Sequence, residues 1–542
     1  MKLNKLFLGI VSALLLASCA DYDEITPAGG TLLASQVQES TLAISERALA
    51  SFNALYTQIG QPCSVFGTSS DRPDDWGVLQ AHFSNDLEGG DAFINDSNYN
   101  WFSVCGKYTS RTPSYANPYI RYAAPYNLIA ACNDFIVQFP DDVTGDPLYM
   151  VAQARALRAF AYWILVNDFQ FGPMIAGDKP SVPIVTPETI DTANNPRASV
   201  NDVYKLMLDD LNFAVEKLDG YVRPNKSFID KQAAQALRCR LYLAQGEYQK
   251  AYDDAVAAAD GFTPSTIAEA GKPAFMDISE HNWIWGYDMT TETASIEVYA
   301  TNSSWLRSFS AEGYAPAVDC YTRINSLLYD LIPATDVRKG WWLNTESKSP
   351  LLDGLTWGTA SGQDIVGLEI EDVKMAMTPY VNVKFGCNTV GTHLNDEDTP
   401  LVRVEEMLLV QAECQAKLNK IDEAKATLTA FVKTYRDPSY VIPDEGVRSL
   451  ENEIWFQRRV ELWGEGLSRY DLRRLDKPMV RFKGGVASNY PANYRFNMEK
   501  NDGYSLMRFS QYETNTNLAI VDNSDGTLPT VDQNPTITDG VI

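Results

Sequence analysis

The chain has 542 residues, 45% of them hydrophobic and 21% charged, enough for a large core and incompatible with wholesale disorder. Its 45 basic residues face 70 acidic ones, a formal net charge of −25. A surface that acidic repels phosphate backbones and anionic membranes, which argues against nucleic acid as a partner.

Lys2 and Lys5 precede an apolar run from Leu6 to Ala17, followed by Ser18 and Cys19. A basic start, a short apolar stretch and small residues at its end make a secretory signal peptide over residues 1–18. The run is too short for a membrane span of about 20 residues. Leu16-Ala17-Ser18-Cys19 has the form of a bacterial lipobox, so cleavage is expected to leave Cys19 as a lipidated N-terminus. No later segment approaches roughly 18 consecutive apolar residues, and lipid is therefore the anchor the sequence offers. Residues 19–33, acidic and marked by Gly and Pro, read as a linker.

Helical periodicity predicts helices at about 34–59, 121–139, 148–169, 199–218, 230–245, 247–260, 403–418, 422–435 and 447–475. Between them, 62–118 and 261–400 dissolve into Gly, Asp, Asn, Ser and aromatic residues, with Thr/Tyr/Val stretches suited to a few short strands. Residues 476–542 are irregular. The predicted class is mainly α: a helical array over about 34–60, 121–260 and 401–475, interrupted by two loop-rich regions.

Two segments of the array repeat one another. Ala234, Leu237, Leu241 and Ala244 form a stripe, Gly246 turns the chain, and Tyr248, Ala251, Ala255 and Ala259 form the next. Met407, Val410, Cys414 and Leu418 lead likewise to Asn419, then Ile421, Ala424, Leu428 and Val432. Gly246 and Asn419 are residue types that tolerate the left-handed conformation ending a helix. Small Ala251 and Ala424, five residues after the turn, permit close helix contact. This is the pattern of a tetratricopeptide-like hairpin, which needs neighbours to bury its face.

Chemistry-bearing residues are sparse. Apart from Cys19, seven cysteines remain, an odd number with no C-x-x-C pair, so neither a zinc site nor a disulfide framework is supported. Cys132, Cys239 and Cys414 read as small buried hydrophobes, and a Cys63–Cys105 bridge is conceivable. His82, His281 and His393 are far apart in sequence, and no phosphate-binding loop or nucleophile elbow is present. Arg458, Glu461 and Glu465 share a helix face, but an arginine beside carboxylates keeps them ionised, so they read as an internal ion network, as do Arg155 and Arg158. The loop Asp71-Arg72-Pro73-Asp74-Asp75-Trp76 clusters carboxylates without the regular spacing of a calcium loop. It suits contacts to sugar hydroxyls beside Trp76, an acidic surface turn, or less readily a glycosidase pair.

Tryptophan is where the loops are rich. Trp163, Trp455 and Trp463 lie in predicted helices, whereas Trp76, Trp101, Trp283, Trp285, Trp305, Trp341, Trp342 and Trp357 lie in the irregular regions. Each singly is suited to a small core under a long loop. As a set, at least two are expected to be exposed in one concavity, where flat rings edged by Asp, Asn and Arg meet the apolar faces of sugars.

Five stretches resemble, in order, motifs of the SusD/RagB family of surface lipoproteins. They are Ala154-Arg155-Ala156-Leu157-Arg158-Ala159-Phe160; Val203-Tyr204 with Asp210-Leu211 and Ala214; Ala236-Leu237 with Arg240, Leu243, Gly246, Tyr248 and Ala251; Arg403-Val404-Glu405-Glu406-Met407 with Ala412-Glu413; and Arg458, Glu461-Leu462, Glu465-Gly466 and Asp471-Leu472-Arg473-Arg474. The resemblance implies one SusD-like domain over 34–542, in a lipid-anchored protein on the outer-membrane surface. Such a protein captures a nutrient, usually a glycan, and passes it to a partner TonB-dependent transporter (SusC-like). In that family the helices are scaffold and partner surface while the loops bind ligand; for this chain no catalytic residue, cofactor or metal ligand is expected, and calcium binding is left open. A peptide ligand, a surface glycoside hydrolase and a pure scaffold are the alternatives. The expected ligand-binding residues are Trp76 and Trp101 from the first loop region and Trp283 and Trp305 from the second, with Arg72, Asp74 and Asp75 as polar contacts.

Overall fold

The computed structural model describes residues 45–66, 72–96, 100–297, 300–311, 313–369, 374–392, 394–523 and 525–542. The expected signal peptide, Cys19 with its expected lipid, the expected linker, Asp71 and His393 lie outside these residues. Among the described residues nine long helices dominate: α1 Ser45–Gly60, α2 Ala116–Ile136, α3 Asp146–Phe169, α4 Val200–Lys217, α5 Lys231–Ala244, α6 Tyr248–Ala259, α7 Val404–Lys417, α8 Ile421–Tyr435 and α9 Leu450–Glu461. Each of α1 to α7 packs on the next in chain order, and α7 also packs on α8 and α9. The architecture is mainly helical, as the periodicity predicts.

Local chemistry sets the helix ends. Ser199, Asp230 and Ser449 cap α4, α5 and α9 by accepting a hydrogen bond from the backbone N–H three residues on. Gly246 and Asn419, the residues expected to turn the two hairpins, have φ of +74° and +61°. Ala251 and Ala424 are fully buried where the paired helices meet.

Three boundaries differ from the expectation. The predicted helix 447–475 is broken: α9 ends at Glu461 and a short helix resumes at Ser468–Arg474. Gly464 and Gly466 between them both have φ of +82°. A Cβ on Gly466 would lie 2.4 Å from that of His82, and one on Gly464 2.6 Å from the Phe385 ring. The helix stops so that the chain can pass close to both side chains. The region 62–118 holds a helix at Gln80–Leu87 whose every residue is buried, and a second at Ser103–Lys107. A helix buried on all faces leaves no amphipathic stripe to read. Helix α2, finally, starts five residues before its predicted position.

The strands are short and paired in twos: β1 Ala92–Phe93 with β5 Arg323–Ile324, β2 Pro180–Pro183 with β3 Arg197–Ser199, β4 Trp283–Tyr287 with β8 Thr399–Arg403, and β6 Thr356–Trp357 with β7 Ala360–Ser361. The β4–β8 pair is antiparallel, with Trp283 opposite Arg403 and Tyr287 opposite Thr399. It brings together two ends of the long insertion between α6 and α7, helices that pack directly on each other.

Buried ion networks bind these layers. Arg158 of α3 makes a two-pronged bond to Asp210 of α4, at 2.8 and 2.7 Å, and reaches Asn133 of α2 at 2.7 Å. The guanidinium of Arg155 lies 4.2 Å over the Phe213 ring. Arg240 of α5 pairs with Glu406 of α7 at 2.7 Å. Arg458 pairs with Asp471 at 2.7 Å and Glu406 at 3.1 Å. Glu461 and Glu465 belong to a different cluster. Glu461 takes Arg436 at 2.7 Å, Arg403 at 3.2 Å and Arg338 at 3.3 Å. Glu465 takes Arg403 at 2.7 Å and Lys384 at 2.8 Å, and Asp336 and Glu405 complete the set. Four cations therefore meet four carboxylates inside the protein. Burial raises the Glu461 carboxyl, but the three guanidiniums outweigh it and hold the group well below the usual carboxylate range. Burial lowers the Lys384 ammonium to about 8.

Candidate functional site

The two loop-rich regions are joined. Strand β1 of the first pairs with β5 of the second, and Asn325 N–H donates to the Asp91 carbonyl at 2.9 Å. The Trp305 indole N–H donates to the Pro73 carbonyl at 2.7 Å. Arg481, fully buried, clamps the first region to the C-terminal segment through the carbonyls of Leu87, Gly89 and Gly106 at 2.6 to 3.0 Å.

Most of the tryptophans form the core of this junction. Seven of the eight loop tryptophans are buried, Trp101 alone being half-exposed. Trp76 is packed edge-on against Phe83 and Phe102, with ring centroids 5.9 and 5.5 Å away. Trp305 lies 5.0 Å from Phe102 and is stacked face to face by Tyr314 at 4.6 Å and 12°. Trp283 is enclosed in β4. The expectation that Trp76, Trp283 and Trp305 present faces to a ligand is corrected: their faces are covered by protein. A continuous apolar core beneath two long loop regions needs large side chains, and tryptophan supplies the most buried area per residue.

Among the described residues three aromatic rings lie half-buried over this core: Trp101, Tyr314 and Tyr380, of which Trp101 carries the Arg72 guanidinium and Tyr314 covers Trp305. The Arg72 guanidinium lies 4.8 Å from the centre of the Trp101 ring. It is held there by a two-pronged bond to Asp74, at 3.1 and 3.0 Å. Burial raises the Asp74 carboxyl, with Arg72 opposing it. Asp75 points inward and accepts from the Cys63 N–H at 2.9 Å, the Cys63 thiol at 3.4 Å and the Gly77 N–H at 3.3 Å. Burial pushes its carboxyl to about 7. Asp75 is a brace of the loop and offers no atom to a ligand. Nearby, the Asn95 amide donates to Asp319 at 2.6 Å, and Asp319 pairs with Arg323 at 2.7 Å.

Of the expected ligand residues the structure brings Trp101 and Arg72 together at the surface; Asp74, 6% exposed with both oxygens taken by Arg72, is a buried brace, which corrects its expected role as a ligand contact. Tyr314 joins the surface without having been singled out in the sequence. Its signal was the aromatic spacing Trp305/Tyr314, visible only once the turn between them is known. The seven described cysteines are all buried free thiols. His82 is buried, and burial lowers its imidazole to about 3, as befits a core residue. An aromatic surface with fixed guanidinium and carboxylate neighbours can stack on an apolar ring face and exchange hydrogen bonds with hydroxyls.

Comparison with known proteins places this architecture. Residues 370–535 match the SusD family, and residues 77–243 match a second family described as starch-binding associating with outer membrane. The chain belongs to the SusD/RagB family. A SusD-like protein, P38, of Formosa agariphila is 23% identical over 391 residues, covering 68% of this chain and 74% of its own. The crystal structure of a SusD-like carbohydrate binding protein from Bacteroides vulgatus superposes with a TM-score of 0.69 at 22% identity, over 88% of this chain and 97% of that one. The surface glycan-binding protein A of Bacteroides thetaiotaomicron, solved with laminarihexaose, superposes with a TM-score of 0.63 at 16% identity, over 88% of this chain and 99% of that one. Among the described residues no helix is long and apolar enough to cross a membrane.

Proposed function

We propose that the protein is a non-catalytic, lipid-anchored glycan receptor of the outer-membrane surface that passes oligosaccharide to a TonB-dependent transporter. The observation that carries the binding role is the aromatic surface at the loop junction. There Trp101 and Tyr314 rest on a rigid tryptophan core, beside a guanidinium fixed by its own carboxylate. Rings held this way lose little entropy on stacking against a sugar. The likeness to a glycan-binding protein and a carbohydrate-binding protein of the same fold supports the ligand class. The lipobox at Cys19 supports the anchor, and the family supports the transporter.

Affinity electrophoresis and calorimetry against a panel of bacterial, algal and plant glycans test the reading. At least one glycan is expected to bind, to be recovered at its original length after long incubation, and to bind at least tenfold more weakly to Trp101→Ala and Tyr314→Ala. Shortened products would assign an enzyme instead. Binding by neither the wild type nor any variant would overturn the receptor role. Cys19→Ala is expected to leave the protein unlipidated and released from membranes, and purification of the wild type from membranes is expected to bring a transporter with it.

A further inference from the structure

Helix α2 carries Tyr119, Tyr122 and Tyr126 at spacings of three and four, on one face. The small Ala123 among them and Ala130 one turn beyond Tyr126 leave a trough along the helix. The C-terminal segment supplies the opposite wall, chiefly Tyr512 and Glu513, and the two enclose a cleft of about 400 Å³. That volume is typical of small-molecule sites.

We infer that this cleft, whose lining includes none of Trp101, Tyr314, Arg72 and Asp74, is a second saccharide site selective for uncharged sugars. Its four tyrosines lie in two sets: Tyr122 and Tyr126 with centroids 4.5 Å apart, and Tyr119 with Tyr512 edge to face at 5.8 Å. Tyr122 is buried behind the others, whereas Tyr119, Tyr126 and Tyr512 keep part of their rings at the surface. Such rings combine apolar area with a polar tip, matching the alternating character of a pyranose. Asn127, exposed on α2, adds an amide at the rim. Among the described residues Glu513 is the only charged side chain of the lining. An unneutralised carboxylate accepts bonds from hydroxyls but repels uronates, sulfates and phosphates.

The walls are set before any ligand arrives. The Tyr126 hydroxyl donates to the Pro183 carbonyl at 2.6 Å. Burial raises the Tyr122 phenol well above its ordinary value, with Glu513 adding to the effect, so it remains protonated. The far wall is pinned by the Asn517 amide on the Asn195 carbonyl, the Leu518 N–H on the Ala193 carbonyl and the Gln511 N–H on the Pro113 carbonyl, each at 2.8 Å. A preformed cleft pays little ordering entropy on binding. A caged quaternary ammonium ion is the competing occupant for tyrosines beside a carboxylate. The amide and hydroxyl lining and the elongated trough favour a polyol.

The choice of saccharides as probes rests on the receptor reading, and the experiment keeps the two apart. The full chain carrying Trp101→Ala and Tyr314→Ala is titrated with maltotriose, cellotriose, laminaritriose, xylotriose and mannotriose by saturation-transfer NMR. Glucuronic acid and tetramethylammonium serve as comparators. At least one neutral trisaccharide is expected to bind this variant, and adding Tyr512→Ala or Asn127→Ala is expected to weaken it at least tenfold with the melting temperature unchanged. Asn127 is exposed, so its variant reports on binding even where the loss of Tyr512 disturbs the wall. No trisaccharide bound, binding unaltered by both substitutions, or binding of tetramethylammonium alone would each overturn the inference. None of these results bears on the loop junction, which is read from the Trp101 and Tyr314 variants in the presence of an intact cleft.

Discussion

Replacing Glu461 by glutamine keeps the shape of the side chain and removes one of the four carboxylates that neutralise Arg338, Lys384, Arg403 and Arg436. Arg436 loses the most, because Glu461 receives it through two nitrogens at 2.7 and 2.8 Å. Its remaining carboxylate is Glu405 at 3.1 Å. The variant therefore holds a net positive charge in a site from which water is excluded. Breaking a buried pair in this way costs about 3–5 kcal/mol. Unfolding entropy of about 2.1 cal/mol/K per residue, over roughly 500 residues, gives close to 1 kcal/mol per degree. Calorimetry at neutral pH should accordingly show the melting temperature lowered by about 3–5 °C if the chain unfolds as one unit. A second substitution, Arg436→Gln, restores the charge balance. The double variant should be more stable than the sum of the single effects by at least about 1 kcal/mol. A Glu461→Gln variant melting like the wild type, or two strictly additive effects, would refute the account of the cluster as an electrically balanced unit.

Ala251→Leu and Ala424→Leu should each destabilise by about 1–3 kcal/mol in urea unfolding, because both alanines are fully buried at helix contacts. Trp305→Ala should cost about 3–5 kcal/mol through the cavity and the lost bond to Pro73, and the half-buried Trp101→Ala distinctly less, a contrast thermal denaturation reads directly. Burial raises Asp75, Asp86 and Asp398 to about 7 in the folded protein, so the stabilisation they give is complete below about pH 4 and lost as pH rises through 7. Glu88 and Glu406, although raised by burial, are pulled down to about 2 by arginines, and theirs is lost as pH falls from about 4.5 toward 2. The melting temperature should peak in mildly acidic buffer, and Asp75→Asn should flatten its decline on the alkaline side.

The helical array was legible because amphipathic stripes and turn residues act locally. Gly246 and Asn419 announce their turns without reference to the rest of the chain. The ionic character of Arg458, Glu461 and Glu465 was legible too, since an arginine within one helical turn of carboxylates argues against free acids. Their partners were not: Arg338, Lys384, Arg403 and Arg436 come from elsewhere in the chain, and a single sequence does not show which distant charge answers which. The tryptophans exposed the same limit. Trp76 and Trp101 stand in similar polar loops, yet one is sealed beneath Phe83 and Phe102 while the other reaches the surface. What separates them is cover that forms only on folding: Phe83 and Phe102 of the same region close over Trp76, as Tyr314 closes over Trp305 in the second region. The tyrosine cleft escaped notice because its helix reads as scaffold, and its far wall comes from a segment almost four hundred positions later.

The joining of β4 to β8 beside the contact of α6 with α7 has an evolutionary corollary. Because the scaffold closes behind the long insertion, that segment behaves as a cassette with its entry and exit side by side. A lineage can recombine or redesign it while the array keeps its own contacts. The restriction on such grafts is electrical: a replacement cassette must deliver cations where Arg338, Lys384 and Arg403 now stand, or bring neutral partners together with altered Glu461 and Glu465. Chimeras designed by loop length alone would miss that condition, and those that also match the charge should fold.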